Sequence, residues 1–151
     1  MKNSAVITIP SHPQYLSVLR AVTAQMCMLS GMSERAVDEV KLAVDEACSN
    51  VMKHAYRGDT GRKIMIQFRI VPDSFEVIIE DNGIKARPER IEGRDLDQVR
   101  PGGLGVHLIK RAFDTFTFDK RKKKGNRLKL IRHTKGYHDN YTDRKIRQKD
   151  S

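Results

Sequence analysis

The chain has 151 residues, 32% charged and 38% apolar, with two cysteines, a composition suited to one soluble domain with its own hydrophobic core. It carries no run of about 18 apolar residues, as a membrane-spanning helix would need, and Met1-Lys2-Asn3-Ser4 lacks the apolar segment of a secretory signal. A cytoplasmic protein without membrane contact is expected. The net charge of +10 is uneven: residues 120–151 hold 13 Lys/Arg against 3 Asp/Glu, whereas residues 1–119 hold 16 of each. That pattern predicts a neutral body with a basic edge and tail, and disfavours a basic groove across the fold.

In chain order, Ala5 to Ile9 reads as a strand stopped by Pro10. Ser11 is positioned to cap a helix with Pro13 in its first turn, running to about Leu29. Ser33 caps a second helix to about Arg57, ended by Gly58. On a helical wheel Val37, Val40, Val44, Ala47, Cys48, Val51 and Ala55 share one side. Glu39, Glu46, Asn50, Lys53 and Arg57 share the other, within about 60° at 100° per residue. Cys27 and Cys48 fall in separate helices and are expected as reduced, half-buried thiols rather than zinc ligands.

Two strands follow, Ile64 to Val71 and Phe75 to Asp81, each alternating apolar and polar residues around the turn Pro72-Asp73-Ser74. Residues 84–101 are polar, carry Pro88, Gly93 and Pro101, and show no periodicity. They predict a long loop, of a length that is functional or disordered in compact domains. Leu104, Leu108, Ile109, Ala112 and Phe113 mark a third helix starting on the glycine turn. Strands from Thr115 to Lys120 and Arg127 to His133 flank Lys124-Gly125-Asn126, and the polar residues from Gly136 read as an unstructured tail. The expected architecture is α+β: a two-layer sandwich of three helices on one mixed, mostly antiparallel sheet. The domain would span residues 1–135, with a basic tail at 136–151.

Three features could carry chemistry. Gly102-Gly103-Leu104-Gly105 opens a helix, where free N–H groups and the dipole favour a phosphate. It lacks the Gly-Lys-Ser/Thr ending of a P-loop, and no strand immediately precedes it as in a dinucleotide fingerprint. Glu46 and Asn50, at i and i+4, set a carboxylate and an amide oxygen side by side, a ligand pair suited to Mg²⁺. Asp81 at a strand end can accept from an exocyclic amine, with Gly83 allowing a flat ring to lie close. Taken singly, each also fits a solvated helix face, a common turn or a plain helix entry.

In this order, however, the three form a pattern. Glu46-Ala-x-x-Asn50 followed by Lys53-His54-Ala55-Tyr56, then Asp81-Asn82-Gly83, a polar lid and Gly102-Gly103-Leu104-Gly105 resembles the GHKL ATPase and kinase superfamily. The nearest likeness is to the anti-sigma factor serine/threonine-protein kinases of bacteria (RsbW and SpoIIAB type). The resemblance implies a Bergerat ATP-binding fold with ATP and Mg²⁺ as ligands. Glu46 would be the catalytic base and Asn50 the Mg²⁺ ligand. Asp81 would bind the adenine amine with Gly83 beneath the ring. Gly102, Gly103, Leu104 and Gly105 would seat the phosphates under a lid at 84–101. Lys53 and His54 would contact phosphate or ribose. Partners would be a sigma factor and a small antagonist phosphorylated on serine, with homodimerisation, and the helix around Arg20 is a candidate docking surface.

Two positions depart from the family pattern. Gly83 is followed by Ile84-Lys85 instead of a second glycine, and the turn near the last strands reads Gly125-Asn126 instead of Gly-Thr. Asn126 is expected to take over the hydrogen bonding of the hydroxyl near the adenine. The first departure keeps open a nucleotide-gated binding module without phosphotransfer. The basic C-terminal region keeps open nucleic-acid binding, which the low aromatic content and lack of a recognition motif disfavour.

Overall fold

The computed structural model describes residues 3–86 and 103–134, with Gly103 and Leu104 described in their backbone only. The tail expected at 136–151, Gly102 and the larger part of the expected lid lie outside the described residues. Five strands form one sheet: β1 (Asn3–Pro10), β2 (Lys63–Val71), β3 (Ser74–Asp81), β4 (Thr115–Phe118) and β5 (Asn126–His133). Three helices pack against it: α1 (Leu16–Leu29), α2 (Glu34–Asn50) and α3 (Gly103–Ala112).

The sheet order is β1-β2-β3-β5-β4. Each of these pairings is antiparallel, so the sheet expected to be mixed has no parallel pair among the described residues. Alternation decides which face meets the helices. Ile64, Ile66 and Phe68 of β2 are fully buried opposite Val77 and Ile79 of β3. Slipping β2 by one residue would move those three side chains to the other face, a loss of roughly 5–9 kcal/mol at 1.5–3 kcal/mol each. Leu19 from α1 and Val40 and Val44 from α2 close the core over them.

Three local differences from the sequence reading have physical causes. The side-chain cap lies on a 3₁₀ turn over Pro13–Tyr15 ahead of α1 and is His12, not Ser11: His12 Nδ1 accepts from the Gln14 amide at 3.1 Å, and α1 itself begins after Tyr15 without a side-chain cap. Ser11 is buried, and its amide donates to the Arg62 carbonyl at 2.8 Å, extending the edge pairing of Pro10 with Lys63. Ser33 caps α2 as expected, its Oγ accepting from the Ala36 amide at 3.2 Å. However, α2 is α-helical only to Asn50. A π turn covers Val51–Ala55, and the Tyr56 amide donates to the Val51 carbonyl. The segment ends with Arg57 and Gly58 at φ of 48° and 80°.

Both cysteines are fully buried rather than half-buried. Each sits on the core side of its helix, and desolvation pushes the Cys27 thiol up to about 12 and raises that of Cys48 further.

Candidate nucleotide site

The site grows from the contact of α2 with α3. Glu46 and Asn50 both lie within the α-helical part of α2, so their i, i+4 spacing puts them on one face. Opposite them, Gly105 stands in the first turn of α3, buried against the Glu46 side chain. A Cβ at Gly105 would overlap the carboxyl group of Glu46, so glycine is what lets that side chain lie against α3 in this position. A carboxylate is thereby held beside the first turn of a ten-residue helix that has no acidic residue of its own in that turn. The N-terminal N–H groups and dipole of such a helix attract an anion.

The shared polar face ends at Asn50. Residues in an i→i+5 turn advance by less than the 100° of an α-helix, so Lys53 falls out of the Glu46–Asn50 row. Lys53 and His54 are both exposed. Arg57 leaves the helix altogether with its positive φ, which removes it from the row that the wheel assigned.

The second half of the site lies where β3 ends. Asp81 is only 3% exposed. Its Oδ1 accepts from the Gly83 amide at 2.8 Å and from Asn126 Nδ2 at 3.0 Å, and Oδ2 receives a longer contact from Asn126 Nδ2 at 3.2 Å. Burial raises the Asp81 carboxyl above its usual value, against the lowering effect of the Gly83 and Asn126 hydrogen bonds. Gly83 backs onto the Ala55 carbonyl, which also accepts from the Ile84 amide at 2.8 Å. The π turn thus presents a carbonyl to the segment that follows Asp81.

Two residues that sequence reasoning missed hold this turn in place. The buried Tyr56 donates its hydroxyl to the Lys63 carbonyl at 2.5 Å and accepts from the Asn82 amide at 2.9 Å. Arg62 lies 4.9 Å over the Tyr56 ring and donates to the Asn82 carbonyl at 3.0 Å. Tyr56 could have been suspected, because a phenol at the end of an amphipathic helix needs a hydrogen-bond partner once buried. Arg62 carried no signal. Beside the turn opens a cleft of about 360 Å³ lined by Tyr56, Arg57, Arg62, Asn82, Ile84 and Lys124 among others.

Known proteins resemble this chain in sequence and fold. The model of the histidine kinase-like ATPase domain matches residues 9–132. The chain belongs to the histidine kinase-like ATPase family. Within that family it is 32% identical over 122 residues to the serine-protein kinase RsbW of Listeria innocua, covering 76% of this chain and 78% of the relative. It is 29% identical over 125 residues to the serine-protein kinase RsbW of Bacillus subtilis, with the same coverage. The crystal structure of the RsbU and RsbW domains of a Mycobacterium tuberculosis protein shares the fold. Its TM-score is 0.63 at 13% identity over 87% of this chain, which spans 32% of that structure.

The donor set of this histidine kinase-like ATPase domain fits ATP with a hard cation. Glu46 and Asn50 bring oxygens suited to Mg²⁺, Gly105 lets the Glu46 carboxyl lie against the first turn of α3, and Asp81 offers a buried acceptor for an amine.

Proposed function

We propose that this chain is a serine protein kinase and anti-sigma factor, which transfers the γ-phosphate of ATP to a serine of a small antagonist protein and binds a sigma factor. It would act in the cytoplasm as a homodimer. The observation that carries the reading is the packing of the Glu46 carboxyl group against Gly105 in the first turn of α3. A general base beside a phosphate seat is what transfer to a hydroxyl requires.

In this reading Asn50 would hold the Mg²⁺, whose positive charge would offset that of the phosphates. Glu46 orients the partner serine and accepts its hydroxyl proton as the oxygen attacks the γ-phosphorus. The N–H groups of Gly103 and Gly105 donate to the phosphate oxygens, with Gly102 and Leu104 their neighbours in sequence at the same site. Asp81 accepts from the adenine amine, Gly83 underlies the ring, and Lys53 and His54 flank the phosphates or ribose from the exposed end of α2. Relatives named serine-protein kinases support the phosphotransfer.

The test is ATP affinity with and without Mg²⁺ for wild type and Asn50→Ala, followed by label transfer to the antagonist for Glu46→Gln. A Mg²⁺-dependent affinity that Asn50→Ala loses by about tenfold or more, and transfer reduced about 10²-fold or more in Glu46→Gln, are expected. Equal affinities in both proteins would refute the metal role. Undiminished transfer in Glu46→Gln would refute the base. ATP binding without turnover when the partner is present would favour the nucleotide-gated module, a reading kept open by Ile84 in place of a second glycine.

A further inference from the structure

The basic run from Lys120 to Lys124 has no part in the phosphotransfer reading, yet Lys124 lines the cleft of about 360 Å³ beside the turn after β3. Arg57 and Arg62 line the same cleft from the chain that joins the π turn to β2. Among the described residues no acidic side chain lines it. Arg57 and Lys124 are exposed and have no hydrogen-bond or ion-pair partner among the described residues. Arg62 is held in place: its guanidinium lies 4.9 Å over the Tyr56 ring, and Nη2 donates to the Asn82 carbonyl at 3.0 Å. A guanidinium has five N–H groups, so most of them remain for a ligand. Ile84, half exposed, adds an apolar contact to the lining. Basic residues on the sheet face turned away from the helices are not available in this way. Arg127 is paired with Glu80, and Arg69 and Lys129 are paired with Glu76.

We propose that this cleft docks an acidic segment of a partner protein, with carboxylates received by Arg62, Arg57 and Lys124 and an apolar side chain resting on Ile84. The proposal stands apart from the nucleotide reading, because Glu46, Asn50, Asp81 and Gly105 do not line the cleft. Three cations around one concavity without an acid raise its positive potential and draw in an anion. The fork of Arg62 matches a carboxylate, and its stacking on Tyr56 leaves less side-chain freedom to lose on binding. A nucleic-acid strand fits less well. It needs open rings for its bases and a basic stripe for its backbone. The ring at this cleft, Tyr56, is only 6% exposed and lies under Arg62, and the neighbouring basic residues of the sheet are already paired.

The experiment follows the backbone amides of the full ¹⁵N-labelled chain by NMR during titration with a terminally blocked peptide, Asp-Glu-Leu-Glu-Asp. Parallel titrations use its neutral analogue Asn-Gln-Leu-Gln-Asn and a short single-stranded oligothymidylate. The acidic peptide should shift the amides of Arg57, Asn82, Ile84 and Lys124 saturably and bind about tenfold or more tightly than the analogue. Its affinity should fall several-fold as salt rises from about 0.05 to 0.2 M. Reversing both exposed charges, Arg57→Glu with Lys124→Glu, should weaken it by about tenfold or more. Lys110→Glu with Arg111→Glu makes the same change in net charge on the exposed end of α3 and should stay within about twofold of wild type. Thermal melts check folding, and Arg57→Gln with Lys124→Gln replaces the reversal if it does not fold, with about threefold weakening expected. An acidic peptide that shifts none of the cleft amides, or that binds the cleft variants as tightly as wild type, would overturn the proposal. Tighter oligothymidylate binding, lost in the same variants, would overturn the protein partner. Displacement of the peptide by MgATP would overturn the separation of this cleft from the nucleotide site.

Discussion

Replacing Gly105 by alanine separates stability from chemistry at the proposed base. The added Cβ would overlap the Cγ, Cδ and Oε1 atoms of Glu46, so the carboxylate must swing away from the α3 N-terminus. That movement is open to a long side chain, at a cost of about 0.5–1.5 kcal/mol for an unfavourable rotamer. Within the α3 helix, Gly→Ala returns roughly 0.5–1 kcal/mol of backbone entropy. The two nearly cancel, and Gly105→Ala should fold within about 1 kcal/mol of wild type. Catalysis has no such compensation: a displaced general base should lower phosphotransfer by about 10²–10⁴-fold. In a Glu46→Ala background the obstacle is gone, and the same Gly105→Ala change should stabilise by about 0.5–1 kcal/mol, or ~1–4 °C in Tm. Thermal melts of the four proteins in this cycle and label transfer from ATP give both readouts. Wild-type transfer rates in Gly105→Ala would refute the placement of the base, and equal effects of Gly105→Ala in both backgrounds would refute the contact itself.

Two further outcomes follow from the turn after β3. Tyr56→Phe leaves the Asn82 amide and the Lys63 carbonyl without their shared partner, so it should cost about 1–3 kcal/mol in urea melts and weaken ATP binding through Asp81. Asp81→Asn should bind ATP poorly yet be more stable than wild type at neutral pH. Because burial raises the folded carboxyl above its ordinary value of 3.8, the native state binds that proton more tightly than the unfolded chain. Wild-type stability therefore falls as pH rises from 3.8 through the folded value. The variant lacks that part of the slope, and stability measured across the range in both proteins checks the sign.

Much of the frame was legible because it rests on periodicity. Alternation in Ile64 to Val71 gave the buried face of β2, and Ser33 announced α2 through a cap that needs only a neighbouring amide. Glu46 and Asn50 were readable for the same reason, being one turn apart inside a regular helix. What could not be read depends on contacts between distant residues. Nothing local marks a π turn at Val51–Ala55, since its residues suit an α-helix equally well. The identity of the cap ahead of α1 turned on the Ser11 backbone continuing the sheet edge, its amide on the Arg62 carbonyl, so that His12 stands directly before the 3₁₀ turn. The hydrogen bonding of Asn126 needed Asp81, Ile84 and Ala86 folded around it, each more than 35 residues away in sequence.

The π turn also bears on how this chain tolerates insertion and deletion. An i→i+5 turn accommodates one residue beyond what an α-helical path would hold, so the chain before Asn50 and the chain after Ala55 are out of phase by that residue. Excising His54 would restore a regular helix and cost little in helical hydrogen bonding. It would also rotate Tyr56 away from Asn82 and withdraw the carbonyl that meets Ile84. The irregular turn is therefore a spacer in the reading frame of the fold: shortening it by one residue would perfect the helix and dismantle the seat behind Asp81.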